Sequence, residues 1–484
     1  MAQKSLKKNA FFNFVKAFMS IIFPIISFPY ASRILLPEGI GSVNFANSTV
    51  EYFTMLAKLG ISTYAAREAA RVRDDKYELS KLAREILSIN FVSTAISYIL
   101  FFIAIFFIPK YADYRLLLIV CSTKVLFMTI GMEWLYTAEE EFGYITIRHT
   151  FFQVISLVLL FTFVKTKNDY LIYAGIGVIS NVGANVFNLI YSRKFINIFE
   201  KTTLSIKKHI KPLFTFFGTS FASKVNDIID TIMLGFLLSN TAVGFYVAAI
   251  KLSSMVKDLI TSVISSFMPR SSYYLENNKV DEYKKIINKI LGMAFFFSIP
   301  ATLGLIFLCE PLISIFSGEN YLPAAPTMKL LAFTIIFTSF NSFLSNVILV
   351  PTKKENFMLY AQIVALTANV TLNYFFIKQW GVFGAGLATL MVEVTLPAVK
   401  LFPSWKYICN KSNLFSILKS AFGAIVMYLI IYTLFKNIHN DFLKIICSVS
   451  VGSLTYAVVE IALKHETALL FLRGIMKKLK IVNH

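Results

Sequence analysis

An all-α integral membrane protein with about 14 transmembrane helices is the fold class this sequence predicts. Composition, the recurrence of apolar runs and the placement of basic residues each point there. Of 484 residues, 56% are hydrophobic, 48 are Phe and only 15% are charged. Mean hydropathy is +0.66. A soluble domain of that size could not keep so much apolar surface dry, so lipid must cover it.

Apolar runs near the roughly 20 residues needed to span a bilayer recur along the whole chain. They fall at 11–31, 39–60, 86–108, 115–136, 145–164, 170–191, 213–237, 242–267, 288–308, 326–349, 357–377, 383–402, 415–435 and 443–463. The first is too long for a signal-peptide core and is expected to stay uncleaved. The second and seventh are the most polar. No segment between them is large enough for a soluble domain.

The net charge of +20 is distributed by side rather than gathered into a nucleic-acid face. With both termini cytoplasmic, that side receives Lys4, Lys7 and Lys8, then Arg67 to Arg84, Arg193 to Lys211, Arg270 to Lys289, and the tail with Arg473, Lys477, Lys478 and Lys480. The other side holds chiefly Arg33, Lys110, Arg115, Lys165, Lys167, Lys378, Lys436 and Lys444. This is the positive-inside bias, and it fixes an even number of spans. The basic loops are expected to meet anionic lipid heads, with no nucleic-acid partner. Glu139, Glu140 and Glu141 read as a solvated loop.

Four spans carry polar stripes. In the second, Asn44, Asn47, Glu51, Thr54 and Lys58 share an arc of roughly 80° on an otherwise apolar helix. In the first, Asn13, Lys16, Ser20 and Ser27 share roughly 60°. In the seventh, Ser220, Ser223, Lys224, Asp227, Asp230 and Thr231 share roughly 140°. In the eighth, Lys251, Ser254, Asp258, Ser262 and Ser265 share about 60°. Ionisable groups inside a membrane are costly and face a bundle interior or a water-filled cavity.

Simpler roles stand beside the functional ones. Lys224 and Asp227, three apart, can neutralise each other. Lys16, Lys58, Lys257 and Lys329 lie near span ends, where lysines snorkel to head groups. Lys124 and Glu133 are expected to face different neighbours, and Glu393 stands isolated in the twelfth span.

A weak internal echo supports a repeat. Leu35-Leu36 precedes Gly41, Phe45 and Ala46, and Leu237-Leu238 precedes Gly244, Phe245, Tyr246 and Ala248. The predicted architecture is two pseudo-symmetric six-helix lobes, spans 1–6 and 7–12, around a central cavity, with spans 13 and 14 peripheral. The expected boundaries are 1–194, a cytoplasmic linker at 195–212, 213–404, and 405–484.

Enzymatic constellations are missing. The five histidines lack metal-ligand spacing, and there is no HExxH or Walker loop. Cys121, Cys309, Cys409 and Cys447 are scattered and read as packing residues. Gly381, Gly384 and Gly386 follow no strand and read as helix-packing glycines. No cofactor is expected.

Four blocks give the chain a family likeness. The first runs from Ser32 to Gly41, with Phe45-Ala46, Tyr52-Phe53, Leu59-Gly60-Ile61, Tyr64 and Arg67 to Arg71. The second is Glu133-Trp134-Leu135-Tyr136, Arg148, Phe163-Val164-Lys165 and Asp169-Tyr170. Asp227, Asp230, Met233-Leu234-Gly235, Val243 to Tyr246, Ala249 and Lys251-Leu252 form the third. The fourth is Gly381 to Thr389. In this order the chain resembles the bacterial oligosaccharide-repeat flippases of capsule and O-antigen synthesis, within the multidrug/oligosaccharidyl-lipid/polysaccharide exporter superfamily.

The resemblance implies a transporter of the bacterial plasma membrane, not an enzyme. It implies transfer of a polyprenyl-diphosphate-linked oligosaccharide from the cytoplasmic to the outer leaflet by alternating access. Its other partners would be membrane lipids and polysaccharide polymerase machinery, and the chain is expected to act as a monomer. Lys16, Arg33, Asn44, Asn47, Lys58, Lys224 and Lys251 are the candidates for cargo binding. Glu51, Asp227, Asp230 and Glu393 are the candidates for coupling to a proton or sodium gradient. The rivals are a multidrug/cation antiporter and a lipid II flippase of the same superfamily. A membrane-embedded polymerase is disfavoured, because the longest outer loop, near 309–325, offers only Glu310 and Glu319 as ionisable groups.

Overall fold

The computed structural model describes residues 6–198, 203–408 and 411–478, helical nearly throughout and without a strand among them. Lys4, Lys201, Cys409, Lys480 and His484 lie outside the described residues, as do the side chains of Lys7, Lys8, Asn13, Lys477 and Lys478. The chain divides into two compact units, Met1–Gly244 and Phe245–His484. Ten helical runs among the described residues are long and apolar enough to cross a membrane. This is a multi-pass membrane protein.

The first unit holds α1 (Leu6–Lys58), α2 (Ile61–Val72), α3 (Lys76–Phe107), α4 (Arg115–Gly131), α5 (Glu133–Ala138), α6 (Phe142–Phe163), α7 (Tyr170–Val178), α8 (Asn185–Tyr191), α9 (Lys207–Leu237) and the start of α10 (Asn240–Ser265). The first two predicted spans appear as one helix, α1, broken at Leu36 (φ 59, ψ 175). Pro37 follows, and a residue before proline is driven out of the helical region. Asp75 caps α3 by accepting from the Tyr77 and Glu78 amides. Its lipid side is plainly apolar, with Phe91, Ile99, Phe106 and Phe107 exposed.

The glycines of the sequence echo have a packing reason. A Cβ on Gly41 would overlap the Asn240 carbonyl, and one on Gly244 would overlap the Pro37 carbonyl. Only glycine lets the two backbones approach this closely.

At the start of α9 the chain is pinned to α3. Fully buried Glu85 accepts from the Ser205 amide at 2.7 Å, from Lys208 Nζ at 2.9 Å, and pairs with His209 Nε2 at 2.7 Å. The other His209 nitrogen pairs with the Tyr64 hydroxyl at 2.7 Å.

The second unit contains the rest of α10, then α11 (Met268–Glu276), α12 (Val280–Phe307), α13 (Cys309–Ser317), α14 (Ala325–Ala332), α15 (Thr334–Phe343), α16 (Asn356–Ile408), α17 (Lys411–Phe435), α18 (Asp441–Ala462) and α19 (Glu466–Lys478). Here α16 covers the eleventh and twelfth predicted spans and breaks at Gly381 (φ 58, ψ −130). The stretch expected as the longest outer loop is largely α13 and a 3₁₀ turn, Glu319–Ala324.

Candidate functional site

The polar stripe of α1 meets basic and acidic residues from three other helices of the first unit. Glu51 reaches Lys124 Nζ of α4 at 3.0 Å, with the two side chains 25% and 13% exposed. Lys124 also donates to the Asn47 carbonyl at 3.3 Å. Nearer the start of α1, Lys16 lies 3.3 Å from Glu133 of α5, which also has Arg148 of α6 at 3.7 Å. On α9, Lys224 lies 3.6 Å from Asp227. Asp230, one turn on, is buried.

Lys58 is the exception. It is half-buried and feels Glu51, Glu133, Lys124 and Lys224 as charges. Among the described residues, it has no ion pair or hydrogen bond. Every other lysine of this group is matched to a carboxylate. A lysine left unmatched inside a membrane span is costly, so such positions are kept for a ligand or a switch.

The second unit treats its charges differently. Lys257 and Glu393 pair at 3.4 Å, only 12% and 16% exposed. Seven residues after Glu393, Lys400 is 2% exposed and donates to Asn341 Oδ1 at 2.7 Å and to Ser345 Oγ at 3.0 Å. Two buried neutral contacts also involve α16, on either side of its break. Tyr246 and Thr389 share a hydrogen bond of 2.8 Å, and Asn373 donates to the Asn369 carbonyl at 3.0 Å. Lys251 is half-buried in α10.

Several expectations change. Glu393 is paired rather than isolated, and its partner Lys257 is nearly buried rather than snorkelling. Glu51 is not free of partners, since Lys124 crosses to it. Lys329 is tied to Glu310 at 2.7 Å. The acidic run is not a solvated loop either. Glu139 is buried, Glu140 accepts from Arg73 at 2.8 Å, and Glu141 lies 3.8 Å from Lys194. These carboxylates neutralise the basic loops expected on the same side. Arg33 is exposed near the Leu36 break, away from the stripe, and Asn44 bonds its own helix at the Ile40 carbonyl, 2.8 Å away.

Lys124, Glu133, Arg148 and Lys400 complete the two charged groups. Lys124 and Glu133 face different neighbours, as the sequence predicts, but their partners and the role of Lys400 are not readable from it. The available signal was a charge at mid-span, which Lys124 carried.

The family model described as a polysaccharide biosynthesis protein matches residues 6–275, and the MatE model matches residues 216–375. A protein named as an O-antigen transporter of Shigella dysenteriae is 24% identical over 401 residues, covering 81% of this chain and 98% of its own. The capsular polysaccharide biosynthesis protein CapF of Staphylococcus aureus is 22% identical over 410 residues, covering 83% and 99%. The solved structure of the lipid II flippase MurJ in an inward closed conformation superposes with a TM-score of 0.75 at 17% identity, covering 97% and 99%. The fold is therefore the one shared by MurJ and the MATE transporters. With its model matching more than half of the residues, the polysaccharide biosynthesis protein family is the one to which this chain belongs.

Proposed function

We propose that the protein is a flippase carrying polyprenyl-diphosphate-linked oligosaccharide repeat units from the cytoplasmic to the outer leaflet of the bacterial plasma membrane, for capsule or O-antigen-type polysaccharide. One observation carries the reading most directly. Lys58 is an unmatched ammonium inside a group of otherwise neutralised charges, half-buried on a membrane-spanning helix. A diphosphate supplies the missing counter-charge, and the low dielectric strengthens that pairing. Relatives named for O-antigen and capsule work agree with that cargo.

Both termini are cytoplasmic in this reading, with fourteen crossings. Each long kinked helix crosses twice, and the polar α9 and α10 cross as well. Lys16, Lys224 and Lys251 join Lys58 in guiding the head, Asn44 and Asn47 serve sugar hydroxyls, and Arg33 meets the diphosphate near the outer surface. An apolar cavity of about 560 Å³ in the second unit, lined by Phe296, Pro300, Met427, Gly452, Tyr456 and Leu472, offers the hydrocarbon a protein wall. Glu51, Asp227, Asp230 and Glu393 serve coupling to a proton or sodium gradient. The partners are the lipid-linked oligosaccharide and membrane lipids, with polymerase machinery next in line, and the chain acts as a monomer.

Depletion in the native cell tests the function. The complete lipid-linked repeat unit should accumulate on the cytoplasmic leaflet while surface polymer disappears. The MatE match favours a cation antiporter as the second reading. Normal lipid-linked units together with new sensitivity to cationic dyes would select it.

A further inference from the structure

The first unit has a polar cavity of about 470 Å³, whose lining does not include the charged group around Lys58. It opens beside the Leu36 break of α1 and is lined by Glu38, Asp113, Tyr114, Lys167, Tyr170 and Asn240. Its floor is apolar, from Leu35 and Leu117. The volume falls within the roughly 300–1,000 Å³ typical of small-molecule sites.

We propose that this cavity binds sugar residues of the translocated oligosaccharide on the outer face of the protein. The proposal rests on the flippase reading and on its topology, which places Glu38, Asp113 and Lys167 outside.

The chemistry fits hydroxyl groups better than phosphate. Among the described residues, the carboxylates of Glu38 and Asp113 make no ion pair or side-chain hydrogen bond. Both are exposed, and their carboxyl oxygens are open to accept from sugar hydroxyls. Two carboxylates against the single Lys167 repel a diphosphate and favour neutral or amino sugars. Tyr114 and Tyr170, both half-buried, offer ring faces to the C–H side of a pyranose. Tyr114 donates to Asn240 Oδ1 at 2.6 Å, which orients that amide and leaves its N–H groups for a ligand.

The backbone adds an independent sign. Leu36 holds φ 59. For a bulky residue this is an outlier of the kind that clusters at ligand sites. Asn240 also joins the cavity to the close backbone approach, because its carbonyl abuts Gly41. A sugar held there touches the contact that must part if α1 and the start of α10 separate.

The test uses the full-length protein in right-side-out vesicles. Cys409 and Cys447 are replaced by Ser, and Asn168→Cys is introduced at the rim of the cavity. A membrane-impermeant maleimide reports access from outside. The probe is the repeat-unit oligosaccharide released from the host's own lipid carrier. Labelling should proceed from outside and slow when the oligosaccharide is added. In Glu38→Gln or Asp113→Asn, the same protection should need about tenfold more oligosaccharide, as expected for one lost hydrogen bond to a charged group. Membrane levels and thermal midpoints of the variants confirm that they fold.

Outside labelling that the oligosaccharide never slows would overturn the sugar site. The flippase reading survives that result if depletion still traps lipid-linked units inside. Absence of labelling from outside would overturn the proposal through its topology.

Discussion

The two units place lysines in their helices by different rules. In the first, Lys16, Lys124 and Lys224 each face a carboxylate from the same unit, and Lys58 faces none. In the second, Lys257 has Glu393, while the more deeply buried Lys400 is held by an amide and a hydroxyl. Hydrogen bonds from neutral acceptors satisfy an ammonium's donors without cancelling its charge. The lesson is that burial alone does not identify a cargo lysine. Lys400 is buried but furnished, whereas Lys58 is partly open and unfurnished.

Breaking that contrast should have its largest effect at Lys58. Lys58→Gln is expected to lower export of lipid-linked units by about tenfold or more, the scale of a lost charge-assisted bond, with unchanged membrane level. Surface-polymer output in a depleted strain complemented with the variant measures it. Unchanged output would remove Lys58 from cargo handling.

Next comes the paired charge. Glu51→Gln leaves Lys124 without its carboxylate and should cost about 1–3 kcal/mol of stability, read as a lower thermal midpoint. Glu51→Gln combined with Lys124→Met should recover part of that loss, since it removes both charges. A double variant no better than the single would show that the pair is not the coupled unit.

His465, between α18 and α19, gives a pH handle in the second unit. Burial holds its imidazole neutral and pushes its pKa down to about 4. Ser416 and Ser420 lie at its Nε2, at 2.8 and 3.3 Å. A neutral buried histidine contributes stability above its ordinary pKa of about 6.5, and that contribution is lost as pH falls towards 4. The loss should run at roughly 1.4 kcal/mol per pH unit within that window. His465→Gln should flatten the dependence. An equal slope in wild type and variant would place the titration elsewhere.

Smallest of all should be Lys400→Met, which exchanges a buried ammonium for an apolar chain of similar length. Relief of the ammonium's desolvation offsets the loss of its bonds to Asn341 and Ser345. Export near wild type with an equal or higher midpoint would sharpen the difference from Lys58, and loss of export would erase it.

Much of this arrangement was legible in the residues. Helical spacing put Glu51 and Lys58 on one face, and both lie on the polar stripe of α1. The separate apolar runs 11–31 and 39–60 bracket the break at Leu36, whereas the echoed Gly41 and Gly244 read only as a repeat and their close backbone approach was not legible. The pairings were not legible. Glu51–Lys124 and Lys257–Glu393 join residues 73 and 136 positions apart. A helical wheel gives the face of a charge but not the neighbouring helix that face meets. The acidic run was misread for the same reason, because Arg73 and Lys194 approach it through the fold alone.

The central claim is that this chain moves a diphosphate-linked oligosaccharide across a bilayer with Lys58 as an anion partner. Purified protein in liposomes loaded with the host's lipid-linked repeat unit tests it most directly, using periodate outside to count the sugar-bearing lipid in the outer leaflet. Wild type should make the protected inner pool accessible, and Lys58→Gln should slow that transfer by about tenfold or more. An inner pool that stays protected with well-folded wild-type protein, under imposed proton and sodium gradients alike, would contradict the account.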